Sequence, residues 1–155
     1  MKGKHLGLTA VAIGALALFV GCGGGSDTTT LHVIEHAETD TLQHTGPANE
    51  NDSIGDVLGF ANPVFDADNT DQVGTDNGLC IRTDPGAAFE CVWTLTLDAG
   101  QLTVEGPFYD TKDSELAITG GTGDYDDAHG SMTLHARNAK GTEYDFTYSI
   151  VQGDD

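Results

Sequence analysis

Glu35 is the residue of this chain best placed to do acid–base chemistry. In Leu31-His32-Val33-Ile34-Glu35-His36 it alternates in phase with Leu31 and Val33. If that face turns inward, a carboxyl enters an apolar interior. Loss of water then favours its neutral form and makes it a general acid or a polar handle for a ligand. If the strand turns its other face inward, or Glu35 sits at a rim, it is an ordinary solvated acid. Asn62, just before Pro63, is either a turn residue or a ligand or water contact. The aromatic candidates are Phe89, Trp93, Phe108, Tyr144 and Tyr148. They are core if the interior is filled and ligand wall if it is hollow.

Two cysteines can be paired from the turn between them. Asp84-Pro85-Gly86-Ala87 has the proline and glycine of a tight turn. A direct hairpin there sets Thr83 opposite Ala88, Arg82 opposite Phe89 and Cys80 opposite Cys91. Opposite Cα atoms lie about 4.5–5.5 Å apart, within reach of a disulfide. The histidines show no zinc spacing: His32 and His36 share a face, whereas His44, His129 and His135 are scattered. Asp66 to Asp71 lacks the glycine and glutamate of a calcium loop. Asp124, Asp126 and Asp127 read as a solvated turn. Gly120, Gly121 and Gly123 follow a strand but open no helix, so they are no dinucleotide fingerprint. Neither a metal nor a cofactor is expected.

The start of the chain carries an address. Lys2 and Lys4 precede an apolar run from Leu6 to Val20, the layout of a secretory signal. The run is short for a membrane span, which needs about 20 residues. Phe19-Val20-Gly21-Cys22 resembles a lipobox, with phenylalanine where leucine is usual. The resemblance implies cleavage after residue 21, lipid on Cys22 and a membrane anchor on the outer face of the cell membrane or in the envelope; plain secretion is the alternative. Residues 22–30, rich in glycine, serine and threonine, read as a flexible tether, and 31–152 as one domain. All 25 acidic residues follow Cys22, against four basic ones, a net charge of −21. Such a field repels nucleic acid. Solubility, in a saline habitat that screens the repulsion, explains the charge better than cation binding does, since the acids are spread along the chain.

The elements that must position these residues are strands. Ala87, Phe89, Cys91, Trp93, Leu95 and Leu97 alternate with polar neighbours, as in a half-buried antiparallel strand. Leu102 to Phe108, Leu116 to Ile118, Met132 to Ala136 and Tyr144 to Ile150 repeat the pattern. A strand is expected over Val73–Thr83, another region over Ile54–Phe65 broken at Gly59 and Pro63, and a short one near Leu42. No stretch after the leader shows a helical period. Seven or eight strands must therefore bury their apolar sides against each other, in an all-β barrel or sandwich.

In order and spacing, Ser53-Ile54-Gly55-Asp56, Gly59-Phe60-Ala61-Asn62, Val73-Gly74, Gly78-Leu79-Cys80-Ile81, Leu102 to Phe108, Leu116 to Gly123 and Tyr144 to Tyr148 form a set. The set resembles the allene oxide cyclase and dirigent-protein superfamily over roughly Ile54 to Val151. The resemblance implies an eight-stranded antiparallel β-barrel, open at one end to an apolar cavity that binds a hydrophobic small molecule and fixes the stereochemistry of its cyclisation or coupling. It places Glu35 at a cavity glutamate, Asn62 at an asparagine that helps hold an ordered water, and Cys80 at a free cavity thiol, the rival to a disulfide. The family's Gly-Pro-Tyr is Gly106-Pro107-Phe108 here, and a second asparagine is replaced by Ala37. The function expected is a dirigent-like guide; the alternatives are an isomerase using Glu35 with Asn62, and a structural envelope protein with a solid barrel. Relatives in plants form trimers, while the net charge favours a monomer.

Overall fold

A computed structural model describes residues 27–47 and 51–153. The leader, Cys22 and the first part of the tether lie outside the described residues. Nine strands follow one another: β1 (Asp27–His36), β2 (Thr41–Gln43), β3 (Val57–Phe65), β4 (Gln72–Asp84), β5 (Ala88–Leu97), β6 (Gly100–Tyr109), β7 (Ser114–Gly123), β8 (His129–Ala136) and β9 (Glu143–Gln152). Among the described residues there is no helix. From β3 to β9 each strand pairs antiparallel with the next, and β9 pairs with β1 over ten residues. The ring closes where β1 meets β3 at Ile34–Phe65 and Glu35–Val64. The result is a closed eight-stranded barrel, with β2 added at the edge of β3. The seam is short: on its β3 side β1 pairs only at Ile34 and Glu35, and it is held mainly by β9.

β1 begins earlier than composition suggests. Thr28, Thr29 and Thr30, read as tether, pair with Val151, Ile150 and Ser149 of β9. Threonine is β-branched and suits a pleated surface, so a waiting edge recruits it despite the lack of anything to bury. Pro63 lies inside β3, not at its end. It falls between the residues paired to β2 and those paired to β1, where one side of β3 has no strand partner. A missing N–H costs least there.

The β4–β5 hairpin carries the Cys80–Cys91 disulfide, with Cα atoms 4.0 Å apart. Arg82 faces Phe89 and Cys80 faces Cys91 as the turn requires, but Asp84 rather than Thr83 faces Ala88. Thr83 is the extra residue of a bulge beside the turn, so the irregularity is absorbed before it reaches the cysteines. With its sulfur bonded, Cys80 is no free thiol.

The interior is filled mainly by aromatic and branched side chains. Trp93, Leu95, Leu102, Val104, Met132, Phe146, Tyr148 and Ile150 are buried. Trp93 stacks on Phe146 with ring centres 5.5 Å apart and meets the edge of Phe60 at 5.9 Å. Gly78 makes room for this: a Cβ there would lie 2.3 Å from that of Trp93. The strand directions give the barrel two ends. Segments 37–47, 51–56, 85–87, 110–113 and 137–142 surround one, called here the mouth; 66–71, 98–99 and 124–128 surround the other, the floor.

Candidate active site

Glu35 points into the barrel. It lies between Tyr144 of β9 and Val64 of β3 in the closing seam and is only 5% exposed. Asn62, fully buried on β3, donates from Nδ2 to Glu35 Oε1 at 2.6 Å and to Asp40 Oδ1 at 2.8 Å. Its Oδ1 accepts from the Glu38 and Thr39 N–H groups at 3.0 and 2.9 Å, and from the Thr39 hydroxyl at 2.9 Å. The whole amide is therefore spent on protein groups. Asn62 ties the segment after β1 to β3 and fixes one oxygen of Glu35. The sequence suggests a turn residue or a water contact; the structure gives it the office of a clamp.

Burial pushes the Glu35 carboxyl above the usual carboxylate range; the Asn62 hydrogen bond opposes the shift and the Asp40 charge adds to it. At neutral pH such a group exchanges protons readily, which suits a general acid or base. Asp76 of β4 lies across the ladder from Asn62. It has no exposed surface and no side-chain hydrogen-bond partner; the donors that act on its carboxyl are the backbone N–H groups of Asp76 and Asn62. Burial first, then the charges of Glu35 and Asp40, push it upward as well. Tyr144 is pushed up to about 12 by burial and by the same acids, so its hydroxyl stays a neutral donor.

Glu35 and Asp40 share the wall of a small cavity with Leu58, Phe60, Cys80, Trp93, Phe108, Leu134, Tyr144 and Phe146. Its volume is about 40 Å³, room for a small ligand group or about one water. Phe108, Leu134 and Tyr144 also border a wider hollow of about 640 Å³ at the mouth, which runs between the segments around Asp110 and Arg137. A ligand body can rest in the hollow with one group reaching towards Glu35. A cleft of about 820 Å³ opens near the floor, beside Leu31, Val33, Val73 and Leu97. It is larger, but none of the candidate site residues lines it.

The structure thus gathers Glu35, Asn62, Trp93, Phe108 and Tyr144 at one place. Phe89 stands apart: it packs on Phe108, ring centres 6.3 Å apart, beneath the Arg82 guanidinium at 3.6 Å. Arg82 in turn pairs with Asp52 and, through both oxygens, with Asp110. Tyr148 is buried below the cavity and does not line it. The histidines are dispersed, as His32 meets Asp145, His36 meets Asn69, His44 meets Asp56 and His135 meets Asp113. Among the described residues no three His, Cys, Asp or Glu side chains converge as metal ligands. Asp56, which the sequence shows only as part of a turn, accepts from the Thr45 and Ser53 N–H groups and meets His44. Those bonds hold its carboxyl well below the usual range. It pins the segment that leads into β3.

The model of one family, allene oxide cyclase, matches residues 26–138. The chain belongs to the allene oxide cyclase family. Solved structures agree on the fold. A pterocarpan synthase dirigent protein superposes with a TM-score of 0.66 at 18% identity, over 83% of this chain and 97% of that one. A pyocyanin demethylase gives 0.64 at 24% identity, over 76% and 98%. A Diels–Alderase from Streptomyces koyangensis gives 0.65 at 16%, over 85% and 71%. At these identities the likeness is one of architecture. Relatives built on this barrel carry names of different chemistries, so this member of the allene oxide cyclase family must be read from its own site.

Proposed function

We propose that this barrel binds a hydrophobic small molecule at its mouth and steers its cyclisation, with Glu35 as the proton-handling group. The observation that carries the reading is the Glu35–Asn62 pair: a buried carboxyl, held by one oxygen, in the wall of a cavity lined mainly by aromatic and aliphatic side chains. The aromatic walls restrict the ligand's conformers, which is the entropic part of the catalysis. Glu35 then gives a proton to, or takes one from, an oxygen or carbon presented at the cavity. A general acid or base of this kind contributes about 10²–10⁴-fold in rate. A guide without acid–base chemistry would use the same walls and have no need of a clamped buried acid.

Trp93 is the sole tryptophan of the chain and lines the cavity, so its fluorescence reports occupancy. Titration with a panel of lipophilic polyenes and phenols should find a class that quenches it saturably. Glu35→Gln should keep the quenching and lose about 100-fold or more in turnover. Turnover unchanged in that variant would remove the acid–base role, and no quenching by any compound would remove the binding role. By the same reading the chain is exported and held at the membrane by lipid on Cys22. Cys22→Ser should then move it from the membrane fraction to the soluble one; retention at the membrane would refute the anchor.

A further inference from the structure

The sequence pattern and the family likeness direct attention to Glu35, yet the least satisfied polar group among the described residues is Asp76. It projects inward from β4 in phase with Gly78 and Cys80, two residues before Gly78 and directly opposite Asn62. Both its oxygens are buried without a side-chain partner, and the backbone N–H groups of Asp76 and Asn62 are the donors that act on them. The obvious side-chain donor, the Asn62 amide, has already given both hydrogens, one to Glu35 and one to Asp40. Three carboxyl groups thus crowd around one amide that can serve two. No cation relieves them: the charges acting on Asp76 are those of Glu35 and Asp40, both negative when ionised. Arg82 is committed at the mouth to Asp52 and Asp110. The remaining polar neighbours are Tyr148, whose buried hydroxyl is disfavoured from ionising first by burial and then by the Asp76 charge, and the Trp93 indole N–H that faces that hydroxyl.

An ionised carboxylate in such a place would carry a buried charge with no cation and no side-chain donor to offset it, costly enough that the group keeps its proton instead. A protonated acid has an O–H to donate as well as oxygens to accept, so the neutral form also suits a neighbourhood of Glu35 and Tyr148 oxygens. We propose that Asp76 is the proton-holding partner of Glu35, a neutral carboxylic acid stored beneath the cavity. The pair, and not Glu35 alone, then sets the pH at which the buried interior behind the cavity becomes charged. Glu35, which faces the cavity and has the Asn62 hydrogen bond to stabilise its anion, releases its proton first. The negative charge it leaves holds the second proton on Asp76. When Glu35 recovers a proton from a ligand, the interior returns to neutrality with Asp76 unchanged. Asp76 is in these terms a positioning residue. A protonated acid held in an apolar site to donate a hydrogen bond has a precedent in enzymes that stabilise enolates.

The inference rests on Glu35 as the proton-handling group, but its test needs no ligand, so a failure to find a substrate leaves it intact. Infrared spectra of the full chain, with aspartate carboxyls carbon-13 labelled, separate protonated aspartate from glutamate. Wild type should show one protonated aspartate at pH 7, lost in Asp76→Asn. In Glu35→Gln, where the neighbouring charge is gone, that signal should disappear about one pH unit or more lower than in wild type. Absence of protonated aspartate at pH 7 in wild type would overturn the proposal. So would a signal that titrates at the same pH with and without Glu35. If Asp76→Asn does not fold, the comparison of wild type with Glu35→Gln decides by itself.

Discussion

β4 and β5 lie side by side, paired from Gly74–Leu97 to Arg82–Phe89, yet they use opposite logic. On β5 the inward positions are Phe89, Cys91, Trp93 and Leu95, all buried and apolar. On β4 the inward positions are Asp76, Gly78, Cys80 and Arg82, while Leu79 and Ile81 face outward, each 44% exposed. Opposite residues of an antiparallel pair share a face, so the Cys80–Cys91 bond obliges Asp76 and Gly78 to join Trp93 and Leu95 inside. The large side chains of β5 need small partners, and Gly78 yields its space to Trp93. β5 provides volume; β4 provides the gap and the polar group. A strand that departs from the hydrophobic pattern next to one that obeys it is where function concentrates when local rules conflict with the fold.

Substitutions on the two strands should therefore differ in kind. Trp93→Ala removes the stacking on Phe146 and the edge contact with Phe60, and should cost about 4 kcal/mol in chemical denaturation. A loss under about 1 kcal/mol would mean that the interior collapses readily and that the cavity wall is not rigid. Leu79→Thr on β4 should change stability by no more than about 0.5 kcal/mol, because the residue packs outward and threonine suits a strand. A loss comparable to that of Trp93→Ala would show that the outer face of β4 is covered in solution, and the contrast between the strands would fail.

The same contrast marks what the sequence discloses. The alternation of β5 and the hairpin geometry around Pro85 and Gly86 suffice to pair Cys80 with Cys91, because register in a hairpin follows from its turn. Parity alone puts Glu35 with Leu31 and Val33, and the fold confirms the inward face for Val33 and Glu35. Asp40 and Asp76 could not be found in this way. Asp40 lies in a polar segment that Asn62 and the pairing of β2 with β3 draw against the barrel. Asp76 sits in a strand whose apolar residues, Val73, Leu79 and Ile81, all vote for the wrong face. Its one signal is that it shares parity with Cys80, and that signal becomes usable once the disulfide has fixed which side of β4 is inside. The contraction of the cavity to about 40 Å³ depends on how Phe60, Trp93 and Phe146 pack together, which alternation does not specify.

The central claim is that β1 and β4 place two acids, Glu35 and Asp76, in an interior that makes both hold their protons more tightly than in water. Because both hold protons more tightly folded than unfolded, the unfolded chain releases them first as pH rises. Stability should then fall from the ordinary carboxylate range upward. Asp56, Asp66 and Asp145 are shifted the other way, so their contribution changes at lower pH and leaves this window clear. The decisive measurement is the unfolding free energy at pH 5 and pH 8, for wild type and for the Glu35→Gln, Asp76→Asn double variant. The expected result is a loss between the two pH values that is larger in wild type by on the order of 2 kcal/mol; equal losses in the two proteins would contradict the account.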